Sequence, residues 1–280
     1  MGDKRILTIQ DVSCVGQCSM TVAMPILSAW GHETCILPTA LLSTHTGGFG
    51  TPKVVHFDGA LPEIVAHWQR CGMDFDAILV GYLGSIAAVE LAGQVLQTML
   101  APGGIRIVDP VMGDHGKLYA GFDDAYVQAM KQLCTQADIL LPNGTEAALL
   151  TDQPYVPELS LSQARTLAEQ LPADVVILTG IGSGPDKTGV LLRQGDAFRH
   201  LDQPRLPGSY HGTGDIYAAC FTGAYAQGRT LEQAAAMAAE FTGRCIQATL
   251  EAPAHWYGTR FESQLDWIIR RREEASKENI

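Results

Sequence analysis

A glycine-rich segment containing one acid, Gly212-Thr-Gly-Asp215, stands directly before the apolar run Ile216-Tyr-Ala-Ala-Cys-Phe-Thr-Gly223. Glycines ahead of a helix let the backbone approach a ligand closely, and the unpaired N–H groups of a first helical turn attract anions. Asp215 has two interpretations at this position. It is either an N-cap, for which Asp is a preferred residue, or a general base beside a pocket that neutralises phosphate charge.

Two more segments place acids where predicted strands end. Asp109-Pro-Val-Met-Gly-Asp114 follows a buried strand, and its Pro and Gly bend the chain so that both acids could face Mg²⁺ and phosphate oxygens. The alternative is an acidic turn at a strand end. Asn143-Gly-Thr-Glu146 opens a helix, where the charge of Glu146 favours the helix dipole in any case. The functional interpretation places Glu146, like Asp109, beside a water-bound metal ion.

Two other glycine-rich stretches partly match nucleotide-binding motifs but lack the structural context of those motifs. Thr179-Gly-Ile-Gly-Ser-Gly184 resembles a dinucleotide fingerprint, yet it follows a late strand and no helix follows it. Gly182-Ser-Gly-Pro-Asp-Lys-Thr188 resembles a P-loop, but Asp186 replaces the glycine before Lys187 and the next element has the pattern of a strand. We assign neither motif a function.

Short apolar runs rich in β-branched residues alternate with longer helical patterns, which is typical of an α/β fold with a mainly parallel sheet. The predicted strands are Ile6–Ile9, Thr34–Leu37, Ala77–Val80, Ile105–Val108, Asp138–Leu141 and Val175–Leu178, with a hairpin of Val190–Arg193 and Ala197–His200. The predicted helices are Thr21–Trp30, Glu63–Arg70, Ala88–Met99, Asp124–Leu133, Thr145–Leu150, Ser160–Leu171, Ile216–Ala226, Leu231–Thr249 and roughly Phe261–Arg272. Ser160 with Gln163 and Thr230 with Gln233 have the spacing of helix-opening capping boxes.

The chain has no internal repeat, low-complexity segment or linker, so we predict one domain over residues 1–280. In open parallel sheets, ligands bind beyond the carboxyl ends of the strands. The acidic and glycine-rich segments follow the ends of predicted strands or open a helix. The sequence therefore predicts that these segments meet at one edge of the sheet.

Composition excludes several classes of protein. The formal net charge of −11 argues against a nucleic-acid partner, because binding to a phosphate backbone needs clustered Lys and Arg. The seven cysteines are odd in number and scattered, which fits neither a disulfide framework nor a zinc site and indicates a reducing compartment. The sequence shows neither the apolar region of a signal peptide nor a membrane-spanning run, so we expect a cytoplasmic protein without a membrane partner.

Taken together and in this order, six segments resemble the ribokinase-like superfamily, and most closely its pyridoxal/pyridoxamine kinase branch. They are Leu7-Thr-Ile-Gln10, Ser43-Thr-His-Thr-Gly47, Gly81-Tyr-Leu-Gly-Ser85, Asp109-Pro-Val-Met-Gly-Asp114, Pro142-Asn-Gly-Thr-Glu146 and Gly212-Thr-Gly-Asp215. The resemblance implies a three-layer α/β/α sandwich with a mainly parallel central sheet and no separate lid domain. It also implies phosphorylation of the 5′-hydroxymethyl group of a B6 vitamer (pyridoxamine, pyridoxal or pyridoxine) with ATP and Mg²⁺, by a homodimer.

The resemblance also implies roles for single residues. Asp215 resembles the catalytic base, and the amides of Gly212, Thr213 and Gly214 resemble the anion hole for the transferring phosphoryl group. The positions similar to those that organise ATP phosphates and Mg²⁺ are Asp109, Asn143 and Glu146. The resemblance places Asp114, Tyr119 and Thr179 where the family contacts the nucleotide or covers the site. It places Thr46 and Tyr82 where the family holds the pyridine ring.

The chain departs from the family pattern at the ring pocket. Its first strand ends Ile9-Gln10-Asp11, where the family often has Ile-Gln-Ser, and Ser19-Met20 replaces a common Gly-Asn pair. A carboxylate favours a cationic neighbour, so Asp11 could pair with the protonated aminomethyl group of pyridoxamine or with a ring N–H. The alternative is an Asp that caps a strand-end turn. His45 either lines the pocket or is a structural loop histidine.

Two rival functions remain open at the level of sequence. A hydroxymethylpyrimidine kinase shares the fold and the reaction but acts on another ring. A ligand-binding protein without catalysis could also have this fold, although the intact Asp215 and its two glycines argue against it. The sequence does not determine whether a monovalent cation is required.

Overall fold

The computed structural model describes residues 4–252 and 254–278. One sheet of nine strands runs through the molecule, and two further strands lie outside it. The strands are β1 (Arg5–Ser13), β2 (Glu33–Leu42), β3 (Val54–His56), β4 (Phe75–Val80), β5 (Leu100–Val108), β6 (Gly113–Asp114), β7 (Lys117–Leu118), β8 (Ile139–Leu140), β9 (Val175–Thr179), β10 (Lys187–Gln194) and β11 (Ala197–Pro204). The order in the sheet is β11-β10-β9-β8-β5-β4-β1-β2-β3. The six strands from β9 to β2 in that order pair in parallel, and the outer strands β3, β10 and β11 pair antiparallel. Strands β6 and β7 form a separate antiparallel ribbon.

Helices cover both faces of the sheet and complete three layers. They are α1 (Met20–Ala29), α2 (Leu61–Arg70), α3 (Ile86–Thr98), α4 (Asp124–Cys134), α5 (Gly144–Leu150), α6 (Leu161–Gln170), α7 (Thr213–Ala226), α8 (Leu231–Leu250) and α9 (Leu265–Glu278). Helices α2 to α6 pack on one face, whereas α1, α7, α8 and α9 pack on the other. Within the described residues, every helix is too short or too polar to span a lipid bilayer.

The alternation of side chains along each strand explains why both faces are covered. Leu7 and Ile9 of β1 belong to the core beneath α2 to α6, whereas Ile6 belongs to the core on the opposite face. Strand β4 repeats the pattern, with Ile78 in the first core and Leu79 in the second. All five side chains are at most 1% exposed. Burying one such side chain is worth about 1.5–3 kcal/mol, so strands in the middle of the sheet need helices on both sides.

The structure confirms the predicted fold class. Each predicted helix and strand is present, with ends that differ by a few residues from the sequence-based bounds. Both predicted capping boxes form: the Gln163 N–H donates to the Ser160 hydroxyl at 3.3 Å, and the Gln233 N–H donates to the Thr230 hydroxyl at 3.2 Å. Side chain and backbone thus satisfy each other at the start of α6 and α8.

Sequence reasoning missed three short stretches of strand. The edge strand β3 has only three residues, and β6 and β7 have two residues each, which is too short for a period-two pattern. Strand β5 begins at Leu100, five residues before the predicted start. The residues between are Ala101-Pro-Gly-Gly104, which normally indicate a loop. Here they join the strand beside a register shift between β4 and β5.

Helix α7 is held against α1 by a close contact at Gly223. A Cβ atom on Gly223 would lie 2.2 Å from the Cδ1 atom of Trp30, whose side chain is fully buried. The Gln227 amide donates to the Trp30 carbonyl at 2.7 Å, and the Nε2 atom of His32 is hydrogen-bonded to the Gly223 carbonyl at 2.9 Å. The position of α7 on the sheet therefore depends on the absence of a side chain at residue 223.

We expect Gly223→Ala to destabilise the protein by about 1–3 kcal/mol, because the added methyl group overpacks the contact with Trp30. This loss exceeds the gain in helix propensity from Gly to Ala, about 1 kcal/mol. Gly93→Ala in α3 is the matched control, because the one close contact of its Cβ would be with the flexible end of Gln136 at 2.9 Å, while Leu133 would lie at an ordinary 3.7 Å. Urea unfolding of the three proteins measures the difference. A Gly223→Ala protein as stable as Gly93→Ala would show that the contact with Trp30 tolerates a methyl group.

Candidate active site

The loops at the carboxyl ends of the parallel strands enclose a cavity of about 790 Å³. Every residue selected from the sequence lines this cavity: Asp11, His45, Thr46, Tyr82, Asp109, Asp114, Tyr119, Asn143, Glu146, Thr179, Gly212, Thr213, Gly214 and Asp215. They come from segments up to 204 positions apart (residues 11 and 215). The parallel arrangement brings them together because all the strand ends concerned lie at one edge of the sheet.

Gly212 is the N-cap residue of α7 and sets the course of the chain into the helix. Its φ of 83° lies in the left-handed region, and a Cβ atom there would stand 2.2 Å from the carbonyl oxygen of Gln17. Only glycine meets both requirements. The first helical bond runs from the Ile216 N–H to the Gly212 carbonyl at 3.0 Å. The preceding N–H groups of Thr213 and Gly214 have no partner within the helix and lie at the cavity.

Asp215 is the third residue of α7, so the N-cap interpretation is wrong. The left-handed Gly212 takes the capping position, and no side chain caps this helix end. The Asp215 carboxyl group is instead half-buried at the cavity. Burial raises its pKa to about 7 and the charge of Asp11 adds to the rise, while the Ser19 backbone N–H acts in the opposite direction. A carboxyl group with a pKa near neutrality can take up a proton at physiological pH.

The Asp109 carboxyl group, at the end of β5, lies beside the start of α7. Asp109 is only 7% exposed. Its Oδ2 atom is 4.0 Å from the point where a Cβ atom on Gly214 would stand. Burial and the nearby charge of Asp215 raise the pKa of Asp109 well above its ordinary value. Within residues 4–252 and 254–278, no hydrogen-bond donor reaches this carboxyl group. Free carboxylate oxygens next to another acid suit a cation.

Glu146 and Asn143 form a third capping box, at the start of α5. The Asn143 N–H donates to Oε2 of Glu146 at 2.8 Å, and the Met112 N–H donates to Oε1 at 3.3 Å. The Asn143 side-chain oxygen accepts from the Glu146 N–H at 3.0 Å, and its amide nitrogen donates to the Gly113 carbonyl at 2.9 Å. Burial and the charge of Asp109 raise the pKa of Glu146. Because backbone donors occupy both carboxyl oxygens, Glu146 fits contact with a metal ion through water better than direct ligation.

The donor set fits a magnesium ion that keeps most of its water. Within the described part of the chain, no group of three or more His, Cys, Asp or Glu side chains could hold a metal ion by itself. Mg²⁺ is usually bound by one or two carboxylates together with waters and substrate phosphates, not by a protein cage. Asp109, with free oxygens at the cavity, matches the carboxylate in such a site.

Asp114, Tyr119 and Thr179 line the same cavity with weaker constraints. The Asp114 side chain is 52% exposed and accepts a hydrogen bond from the His115 N–H at 2.7 Å. Burial and several nearby acids, Glu146 first among them, raise the pKa of Tyr119. The Thr179 hydroxyl donates to the Pro142 carbonyl at 3.4 Å, which leaves its methyl group and one lone pair for contacts in the cavity.

Asp11 is buried in the wall of the cavity, with 2% of the residue exposed. The Ser13 hydroxyl donates to its Oδ2 atom at 3.1 Å, and burial raises its pKa. The Asp11 N–H donates to the Tyr82 carbonyl at 3.1 Å, which fixes Tyr82 beside it, and burial together with the charge of Asp11 raises the Tyr82 pKa to about 12. Thr46 is exposed and also lines the cavity.

His45 uses both ring nitrogens to hold loops. Its Nδ1 atom accepts from the Gly47 N–H at 2.9 Å, so its Nε2 atom carries the proton that is donated to the Tyr257 carbonyl at 2.8 Å. The ring also contacts Phe49 and His211, with centroids 5.0 and 5.1 Å away. The two interpretations of His45 therefore coexist: it is a structural loop histidine, and one side of its ring lines the cavity.

Sequence reasoning missed other residues that line the cavity. Ser19 lies beside both Asp11 and Asp215, and Cys18 lies next to it. Arg205 is the one Lys or Arg among the described residues of the cavity wall. A serine before the apolar run of α1 is a recognisable helix-start signal, but the predicted helix begins at Thr21 and so excludes it. No sequence signal identified Arg205.

The fold is a parallel α/β/α sandwich. A helix that begins at a glycine and has an acid in its first turn meets further acids at the strand ends. Together these features define a phosphotransferase of the ribokinase-like class. Comparison with known proteins identifies the family. Residues 51–259 match the phosphomethylpyrimidine kinase family, and the chain belongs to it. The protein is therefore a kinase, which confirms the resemblance drawn from the sequence.

Two similar proteins with known structures cover nearly the whole chain, and a further relative matched by sequence covers most of it. A pyridoxal kinase from Lactobacillus plantarum is 37% identical with a TM-score of 0.88 and covers 97% of this chain and 98% of its own. A putative phosphomethylpyrimidine kinase from Bacteroides thetaiotaomicron, crystallised with pyridoxal, is 34% identical with a TM-score of 0.88 over 97% of this chain and 96% of its own. The pyridoxal kinase of Deinococcus radiodurans is 31% identical over 247 residues, 82% of each chain.

The raised pKa of Asp215 predicts a pH-dependent effect of Asp215→Asn on stability. Because the folded pKa of about 7 lies above the ordinary value of 3.8, the contribution of Asp215 to stability is fully present below about pH 3.8 and is lost as the pH rises through about 7. We expect Asp215→Asn to be more stable than the wild type at pH 8, by on the order of 1–2 kcal/mol, with a smaller difference at pH 5.

Urea unfolding without ligands at both pH values measures this effect. Asp152→Asn is the control, because Asp152 has a side chain 81% exposed and lies outside the cavity wall. A loss of stability in Asp215→Asn at pH 8 would contradict the unfavourable burial of its charge.

Proposed function

We propose that the protein transfers the γ-phosphoryl group of ATP to the 5′-hydroxymethyl group of a B6 vitamer. The observation that carries the proposal is the meeting of Asp215, whose pKa is about 7, with the open N–H groups at the start of α7 and the carboxyl group of Asp109. Phosphoryl transfer needs mainly positioning and neutralisation of charge, and this arrangement supplies both. The similarity to pyridoxal kinases over most of the chain supports the choice of acceptor.

In this proposal Asp215 accepts the proton of the substrate hydroxyl as its oxygen bonds to the γ-phosphorus, and the bond from that phosphorus to the bridging oxygen of ADP breaks. The N–H groups of Gly212, Thr213 and Gly214 donate to the oxygens of the transferring group. Asp109 would hold Mg²⁺ directly, and Glu146 would hold it through water. The metal ion, when bound, neutralises phosphate charge and orients the nucleotide.

The remaining wall residues divide between the two substrates. Asn143, Asp114, Tyr119 and Thr179 face the nucleotide or cover it, in line with the resemblance described above. Asp11, Thr46, Tyr82 and His45 face the ring of the acceptor. His45 contributes the side of its ring, because both of its nitrogen atoms are engaged with backbone groups.

A hydroxymethylpyrimidine kinase is the second candidate. The family match and the Bacteroides protein, a putative phosphomethylpyrimidine kinase crystallised with pyridoxal, favour keeping it. Both acceptors are flat nitrogen rings with a primary alcohol, so one pocket could accommodate either. The distinction depends on the ring end of the cavity, where Asp11 lies.

The test is a panel of pyridoxal, pyridoxine, pyridoxamine and hydroxymethylpyrimidine with ATP and Mg²⁺, assayed with the wild type, Asp215→Asn and the control Asp152→Asn. We expect a B6 vitamer to give the highest kcat/KM. Asp215→Asn should lower kcat by about 10²–10⁴-fold, the usual range for a general base, with little change in the KM for ATP. Preference for hydroxymethylpyrimidine would select the second candidate, and near-normal turnover by Asp215→Asn would remove Asp215 from the role of base.

Asp11 gives a prediction about the choice among vitamers. Its buried carboxyl group accepts hydrogen bonds but has no Lys or Arg partner within the described residues, so a protonated aminomethyl group would complete it. We expect Asp11→Ser to lower the ratio of kcat/KM for pyridoxamine to that for pyridoxal by roughly tenfold, the range for a hydrogen bond to a charged group. Asp11→Asn keeps the shape without the charge and should have the same effect. An unchanged ratio in both variants would rule the pairing out.

A further inference from the structure

Ser19 has an unusual backbone conformation at the wall of the cavity. Its φ is 53° and its ψ is −124°, a region that residues with a Cβ atom rarely adopt. Such strain persists only where the surrounding structure enforces it, and it concentrates at functional sites. The residue is 5% exposed, lines the cavity and forms an isolated bridge with Val12 at the end of β1.

Ser19 is also an N-cap that does not cap its helix. Its carbonyl accepts from the N–H groups of Val22 at 3.1 Å and Ala23 at 2.9 Å, as expected at the start of α1. A serine in this position normally accepts a hydrogen bond on its hydroxyl oxygen from the first helical turn. The Ser19 side chain makes no such bond. Ser85 at the start of α3 shows the ordinary arrangement, accepting from the Ala88 N–H at 3.1 Å.

Ser19 lies beside both acids instead of capping α1 with its hydroxyl. The bridge to Val12 places it next to Asp11, and the Gln17 carbonyl two residues before it packs against Gly212 at the start of α7. The Ser19 hydroxyl acts to lower the pKa of Asp11 and the Ser19 backbone N–H acts to lower the pKa of Asp215, in both cases against the effect of burial. The charge of Asp11 also raises the pKa of Asp215, so donors near both acids have an evident use.

We propose that Ser19 is a positioning residue whose strained backbone directs its N–H at Asp215 and its hydroxyl at Asp11, so that one residue holds both acids in working orientation. The proposal deepens the proposed function and rests on it. The strained backbone of Ser19 places its N–H against the base, Asp215. The same backbone turn places its hydroxyl against Asp11, the acid that faces the acceptor ring. A glycine in this place would supply the first contact without strain, but not the second.

The test compares Ser19→Gly with Ser19→Ala, because both lose the hydroxyl and only glycine relieves the strain. We expect Ser19→Gly to have a Tm a few degrees above that of Ser19→Ala. Relief of one strained residue raises the free energy of unfolding by an amount that shifts Tm by about 2–4 °C in a domain of this length. In both variants we expect the KM for the acceptor to rise roughly tenfold with kcat little changed, because the N–H that faces Asp215 remains.

A pH profile separates this role from a merely structural one. The titratable groups facing Asp11 are Cys18, His45, Tyr82 and Asp215. Loss of the hydroxyl should raise the pKa of Asp11, and the acidic limb of kcat/KM should then move to higher pH. In an Asp11→Asn background the same Ser19→Gly change should leave the limb where it is. Ser85→Ala, which removes an ordinary cap, should lower stability and leave the limb unmoved.

Two outcomes would overturn the proposal. A Ser19→Gly protein no more stable than Ser19→Ala would show that the backbone is not strained, and an unmoved acidic limb with an unchanged KM would show that the hydroxyl does not act through Asp11. If Ser19→Ala fails to fold, Ser19→Gly against the wild type supports the same comparison. Failure of the proposed function is a separate result: the wild type would phosphorylate no vitamer, and the profiles would then be measured with whichever alcohol it phosphorylates.

Discussion

The crowding of acids around one cavity is the constraint on which the rest of the site depends. Asp11, Asp109 and Glu146 are buried there, Asp215 is half-buried, and burial raises the pKa of each. Like charges at close range raise the pKa further, as between Asp109 and Asp215. Each acid needs a donor, a proton or a cation to be tolerated. The arrangement of loops and helix ends around the cavity can be understood as the supply of those partners.

Backbone N–H groups provide most of the partners that the chain itself supplies. Glu146 receives two, from Asn143 and Met112, and Asp215 faces the N–H of Ser19. Backbone donors carry no net charge and are fixed by the fold, so they stabilise an anion without a mobile side chain. Asp109 lacks such donors within the described residues, which singles it out as the acid left open for a cation.

The parallel sheet is what makes this concentration of acids possible. Each parallel strand delivers its following loop to the same edge, and the two apolar cores hold the strands in register. The contact between Gly223 and Trp30 fixes α7 on that framework, and the close approach of Gly212 to Gln17 fixes its first turn. The geometry of the site is thus determined by packing at two glycines as much as by its acids.

Sequence could predict which segments meet, because strand ends and glycine-led helices are local signals with a known spatial consequence. It could not predict contacts that depend on distant chain segments. The two hydrogen bonds of His45 could not be foreseen, since Tyr257 is 212 positions away. Asp215 was open to a capping interpretation because the left-handed turn at Gly212, which moves the cap three residues earlier, depends on packing against Gln17. The strain at Ser19 likewise has no sequence signature.

The features that prepare the site for chemistry all lower the stability of the ligand-free protein. A buried acid that must ionise, a strained serine and an uncapped helix each oppose folding by amounts of about 1–3 kcal/mol. Positive charge near Asp109 would favour the ionised forms of Asp109 and of the neighbouring Asp215, since an opposite charge at close range lowers the pKa of an acid. The base would then lose its proton most readily when a cation is in place. An acid cluster of this kind therefore links the ionised, base form of Asp215 to the presence of a cation in the cavity, without any movement of the backbone.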